Sequence, residues 1–253
     1  MMLHVIVRGE GPPLALLHGL FGRAGNFGIV QRELARKFRV LALDLRNHGH
    51  SPHAEGMSYS AMADDVLETL RTRGVLPCAL VGHSMGGKVA MALALASPGA
   101  VSRLAVADIA PAQYGHGMRR YVEAMRAIPL TSELTRAAAD AALAEFVPDA
   151  VIRAFLLQNL RFGEKPAWRL GLEEIAAAMP DIEGWPDIAT RYGGPTLFIA
   201  GARSDYIRPE HRPTIRALFP AARFVTLKDA GHWVHADNPA GFVAVIEAFV
   251  ADY

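Results

Sequence analysis

Short apolar runs separated by longer stretches of helical period organise this chain. The runs are Leu14 to Leu17, Val40 to Leu43, Ala79 to Val81, Leu104 to Ala107, Thr196 to Ala200 and Phe224 to Leu227. Continuous apolar runs of this length read as strands buried on both faces, and their alternation with helical segments predicts a mostly parallel sheet covered by helices on each side. Ahead of them, Leu3, Val5 and Val7 alternate with other residues, the period of a first strand. Met1 to Gly11 lacks the basic-then-apolar plan of a secretory leader.

Between the fourth and fifth runs, about eighty residues carry no strand pattern. This segment, roughly Ala112 to Tyr192, has helical stretches at Met118 to Ile128, Leu134 to Phe146 and Asp149 to Leu160, with Pro129, Pro148 and Pro180 as breakers. An insertion at the carboxyl end of a sheet lies over the crest where ligands bind in open α/β folds. Residues 112–192 are therefore expected to form a helical lid on one core domain built from 1–111 and 193–253.

The richest local pattern is Gly82-His83-Ser84-Met85-Gly86, which follows the apolar run Cys78 to Val81 and leads directly into the helical pattern Lys88 to Ala96. A strand that turns into a helix within two residues holds its central residue in a strained conformation, and glycine-sized neighbours let the two segments approach. Ser84 is thereby lifted clear of the sheet as a nucleophile. Met85 then sits at a helix N-terminus, where its backbone N–H lacks an intrahelical partner and is available to an oxyanion. A second run ends in His18-Gly19-Leu20-Phe21-Gly22, where Leu20 is the expected second donor and Phe21 the fallback. A serine needs a base, and His232, in a loop after Phe224 to Leu227 and before the helix opened by Asp237-Asn238-Pro239, is the candidate.

These stretches, with Asp44-Leu45-Arg46-Asn47-His48-Gly49-His50-Ser51, Asp108-Ile109-Ala110-Pro111 and Ala230-Gly231-His232-Trp233-Val234-His235, resemble the α/β-hydrolase superfamily end to end. Within it the chain is most similar to the YbfF-type esterases and their mitochondrial α/β-hydrolase-domain relatives. The resemblance implies a mostly parallel, eight-stranded twisted sheet, a helical lid inserted after strand 6, and hydrolysis of carboxylic esters, extending to acyl thioesters, with no cofactor. It also bears on the acid. The usual position, three residues after a glycine, falls on Ser204 when counted from Gly201, and Asp205 is one residue late. In the YbfF-type branch the implied acid is the Asp-Ile-x-Pro carboxylate, here Asp108, with Asp205 as the alternative. Phe21, Tyr114 and Trp233 are candidates for the pocket wall, His83 for a packing position, and His235 for a lid or cap contact.

Composition narrows the remaining classes. The chain has 253 residues, 51% hydrophobic and 20% charged, enough for a large core. Its 26 basic and 25 acidic residues give a net charge of +1, which leaves no field for a nucleic-acid partner. The longest apolar stretch, Val89 to Ala96, is far short of the ~18 residues of a membrane span. Cys78 is the single cysteine, so neither an intrachain disulfide nor a cysteine-based metal site is available, and His48, His50 and His53 lack the carboxylates of a metal cluster. A cytoplasmic enzyme acting on a small ester or thioester, without a metal, is the expectation. Cofactor-free haloperoxidases and C–C bond hydrolases share the same serine chemistry and are the rival activities. A non-catalytic ligand-binding member is the rival of a different class.

Overall fold

Each apolar run becomes a strand, and the period-2 alternation of side chains decides which layer each residue joins. The protein is described by a computed structural model covering residues 1–115 and 117–251. The chain begins with β1 (Val5–Arg8), β2 (Pro13–Leu17), α1 (Gly28–Leu34), β3 (Arg39–Leu43), α2 (Tyr59–Thr72), β4 (Cys78–His83), α3 (Met85–Ala96) and β5 (Val101–Ala107). An insertion follows, carrying α4 (Arg119–Arg126), α5 (Arg136–Ala144), α6 (Ala150–Leu156), β6 (Leu160–Arg161), β7 (Ala167–Trp168) and α7 (Leu172–Glu183). The chain then returns through β8 (Thr196–Gly201), α8 (Arg212–Leu218), β9 (Ala222–Leu227), α9 (Val234–Asp237) and α10 (Pro239–Val250).

Seven strands form the main sheet in the order β1-β3-β2-β4-β5-β8-β9. Only β1 pairs antiparallel, against β3; every other pairing is parallel. Central β4 is buried along its whole length, whereas the edge strands β1 and β9 are partly exposed, as edges covered on fewer sides must be. Alternation sends Ala15 and Leu17 to the layer shared with α2, α3 and the insertion, and Leu14 and Leu16 to the layer shared with α1 and α10. At ~25 cal/mol per Å² of apolar area, each leucine removed from water in these layers contributes roughly 2 kcal/mol.

Several details differ from expectation. Among the described residues the sheet has seven strands where the resemblance implied eight, and the insertion follows β5. Residues ahead of β1 spend their backbone groups elsewhere: Leu3 N–H donates to Thr69 Oγ1 at 3.0 Å and His4 N–H to Ser51 Oγ at 2.8 Å. The lid helices also start later than their apolar periods, because Thr135 and Asp149 serve as N-caps, accepting from the N–H groups of Ala138 and Val151. Pro180 does not break a helix; it lies inside α7, whose terminal carbonyls take donors from the core, including Tyr59 Oη to Ile182 O at 2.6 Å. The two-residue strands β6 and β7 pair antiparallel within the segment expected to be free of strands. Strands that short have no readable period.

Candidate active site

β4 ends at His83 and α3 begins at Met85, leaving Ser84 alone at the bend with φ 52° and ψ −121°. That backbone is costly for a side chain with a Cβ and persists only where neighbours over-determine it. Here they do. A Cβ on Gly82 would lie 2.2 Å from Gly86 O, and one on Gly86 would lie 2.4 Å from Leu17 O. Both glycines are therefore required for α3 to pack against β4 and β2. Phe21 and Asp108 are also left-handed, at φ 61° and 51°, so three of the non-glycine residues with positive φ gather at one crest.

Asp108 follows β5, and its side chain is wholly buried. Its Oδ1 accepts the Gly201 N–H at 3.0 Å, and its Oδ2 accepts the Ser204 hydroxyl and His232 Nδ1–H, the latter at 2.8 Å. A carboxylate only accepts, so this contact puts the proton of neutral His232 on Nδ1 and leaves Nε2 as an acceptor. Ser84 Oγ lies 3.0 Å from that Nε2. The loop carrying His232 is pinned from behind: His83 Nε2–H donates to His232 O at 2.7 Å, and Tyr206 stacks on the imidazole with centroids 3.9 Å apart. Burial holds the His83 pKa well below the ordinary 6.5 and keeps that ring neutral. Asp205 is exposed, and no contact with His232 occurs among the described residues.

Opposite Ser84, Gly19 to Gly22 form a tight turn closed by Gly22 N–H to Gly19 O at 2.9 Å. Phe21 does not supply a free donor, which corrects its reading as the fallback: its N–H donates to His48 Nε2 at 3.2 Å. His48 can accept because its Nδ1–H is used on Arg46 O at 2.8 Å and burial, with the nearby His18 ring, lowers its pKa to about 3. The N–H groups of Leu20 and Met85 have no acceptor among the described residues. Met85 also opens α3, where the helix dipole favours negative charge.

The serine and the imidazole face a cavity of about 310 Å³ whose walls include Phe21, Tyr114 and Trp233 as well as lid residues Ile152, Phe155 and Met179. Lys88, one helical turn after Ser84, also reaches this wall. Its Nζ donates to Gly184 O at 2.5 Å, beyond the end of α7, and sits 5.3 Å and 5.0 Å from the ring centres of Tyr59 and Tyr114. Burial lowers its pKa to about 7. His235 is not a lid contact: its ring packs against Phe27, His83 and Phe242 in the core. Among the described residues, no group of three or more His, Cys, Asp or Glu side chains converges as a metal site, and no helix is long and apolar enough to cross a membrane.

Residues 12–239 match the family model of the alpha/beta hydrolase fold. The chain belongs to that family. Among its α/β-hydrolase relatives, it is 42% identical to the sn-1-specific diacylglycerol lipase ABHD11 of Mus musculus over 95% of this chain and 81% of that protein. It is 36% identical to Esterase YbfF of Escherichia coli K12, covering 95% of this chain and 93% of the relative. A solved structure titled "Marine microorganism esterase" superposes with a TM-score of 0.95 at 35% identity, covering 98% of this chain and 99% of that one.

Several residues of this α/β-hydrolase site carried no signal in local sequence. Tyr206 reaches it from a loop and Asn159 from the short turn after α6, while His48, visible only as part of a motif, gave no sign that it would hold Phe21. Lys88 did leave a trace: it is the only charged residue in α3, and a lone lysine in a helix buried all round is an anomaly to explain.

Proposed function

We propose that Ser84, His232 and Asp108 hydrolyse carboxylic esters through an acyl-enzyme. The chain is a serine-type ester hydrolase, and relatives named as esterases and lipases match it nearly end to end. One observation carries the assignment of roles: a continuous hydrogen-bonded line from Ser84 Oγ through His232 to Asp108, at the wall of an apolar cavity.

In the first step Ser84 Oγ attacks the ester carbonyl while its proton passes to His232 Nε2. Asp108 stabilises the resulting imidazolium, and the N–H groups of Leu20 and Met85 receive the oxyanion. Collapse breaks the bond to the leaving alcohol, which takes the proton from His232. Water, deprotonated by the same imidazole, then attacks the acyl-serine and releases the carboxylic acid and the free hydroxyl. A thioester follows the same course with a thiol as leaving group. Residues 112–192, seated over the cavity, act as a lid that selects the acyl chain. A cytoplasmic location belongs to this reading, as does the exclusion of nucleic acid, which rests on a net charge of +1.

Titration with an organophosphonate tests the proposal. Stoichiometric labelling of Ser84, with Ser84→Ala unlabelled and slower by several orders of magnitude toward the ~10⁶ of a removed triad serine, is the expected result. A folded wild-type protein that takes no label would overturn it. p-Nitrophenyl esters of increasing length, run beside acyl-CoA thioesters, then locate the substrate.

A further inference from the structure

The turn that supplies Leu20 is held from two sides, and one of the two comes from the lid. Phe21 sits in the left-handed region, which a residue with a Cβ keeps only when its surroundings fix it. Its N–H is bound by His48, on the core. Its carbonyl is bound by Asn159, 138 residues away, in the short turn that follows α6: Asn159 Nδ2 donates to Phe21 O at 2.7 Å. The same amide nitrogen reaches Leu156 O at 3.3 Å. Both contacts are carbonyl oxygens, so the NH₂ group must face them. Asn159 is 1% exposed, and its Oδ1 has no partner among the described residues.

Neighbouring contacts keep the donor in place. Arg169 N–H donates to Asn159 O at 2.8 Å, tying it to the β6–β7 hairpin, and Asn26 Nδ2 donates to Gln158 Oε1 at 3.0 Å across the same seam. We propose that Asn159 is a positioning residue, a lid amide that fixes the Phe21 peptide so that the N–H of Leu20 stays free for the oxyanion. Seating of the lid and readiness of the oxyanion hole are then one event. Leu156, whose carbonyl shares the Asn159 amide, also lines the cavity, so the lid segment that touches substrate is the segment that holds the turn.

The inference rests on the serine-hydrolase reading and is tested with the full-length enzyme. Asn159→Asp keeps the shape and removes the donor. The expected result is a kcat lowered about tenfold to a hundredfold, below the ~10²–10³ of a deleted oxyanion donor, with KM changed less than threefold. A trifluoromethyl ketone matched to the substrate, whose adduct carries the oxyanion, should lose affinity in the same proportion, while the product acid should not. The acid limb of the pH–rate profile should stay where it is, because the Ser84–His232–Asp108 line is untouched. A merely structural loosening of the lid would move KM and product affinity instead. If N159D fails to fold, Asn159→Ser provides the same comparison. A folded variant with kcat within threefold of wild type, or one whose loss of kcat leaves the ketone affinity unchanged, overturns the inference. Wild-type enzyme that resists phosphonate labelling would sink the underlying reading instead.

Discussion

Ser204 donates its hydroxyl to Asp108 Oδ2, the oxygen that also accepts His232 Nδ1–H. A wholly buried carboxylate with the Gly201 N–H on its other oxygen is thereby satisfied on both sides. Ser204 is the position at which the family resemblance would look for the acid, and here its hydroxyl donates to the carboxylate proposed for that role, on the residue that follows β5.

This arrangement ranks three substitutions. Asp108→Asn keeps the shape but reverses the tautomer preference of His232, and kcat is expected to fall by about 10⁴. Ser204→Ala removes one of three donors to the carboxylate and should cost less than about tenfold, the scale of a single hydrogen bond. Asp205→Asn, at an exposed position, should remain within twofold. Turnover of a p-nitrophenyl ester by the three folded variants checks the order, and a loss confined to Asp205→Asn would move the acid to that residue.

The strands were legible because parallel strands covered on both faces read as unbroken apolar runs, and each of the six runs lies within a strand. Ser84 and His232 stood out for a related reason: each follows the carboxyl end of one of those strands, where local pattern and chain order are visible together. Asp108 came instead from the family resemblance, with Asp205 beside it, and the structure brings Asp108 to His232. What escaped was tertiary. Phe21 meets His48 across 27 residues and Asn159 across 138, and Lys88 meets Gly184 across 96. No period links such positions. Pro180 misled for the converse reason: the donors that hold the end of α7 come from α2 and α3, so the local rule was outweighed by distant partners.

His235 offers a stability test. Burial first, and His232 second, lower its pKa to about 4, so it is neutral in the fold. In the unfolded chain it takes a proton near the ordinary 6.5. Between pH 6.5 and 4 the unfolded state binds the extra proton, and stability falls with pH by about 1.4 kcal/mol per unit from this residue. Its Nδ1 is buried without a partner among the described residues, and its ring lies 4.8 Å from that of Phe27. His235→Phe removes both costs. The variant should gain about 1 kcal/mol at pH 7 and more at pH 5, read from urea midpoints. Equal pH slopes for the two proteins would show that His235 does not carry this linkage.

Lys88 tests the seam between the lid and the serine-bearing helix at the opposite end of the pH scale. Its ammonium is buried against the ends of Glu183 and Gly184, with carbonyl contacts at 3.4 Å and 2.5 Å and no salt-bridge partner among the described residues. Burial lowers its pKa from 10.5 to about 7. Below pH 7 both states hold the proton, and the full cost of burying the charge is present. From pH 7 to 10.5 the unfolded chain still binds the proton while the fold releases it, so stability rises with pH by about 1.4 kcal/mol per unit from this group. The neutral amine keeps two N–H donors, enough for both carbonyls, so the tie to α7 survives the change. Lys88→Met abolishes the linkage and the tie together. Its urea midpoint should compare best with wild type at or below pH 7 and fall progressively behind between pH 7 and 10, because only the wild type gains over that range. Parallel curves across that window would mean that Lys88 keeps its proton in the fold and that the carbonyls and tyrosine rings compensate its burial.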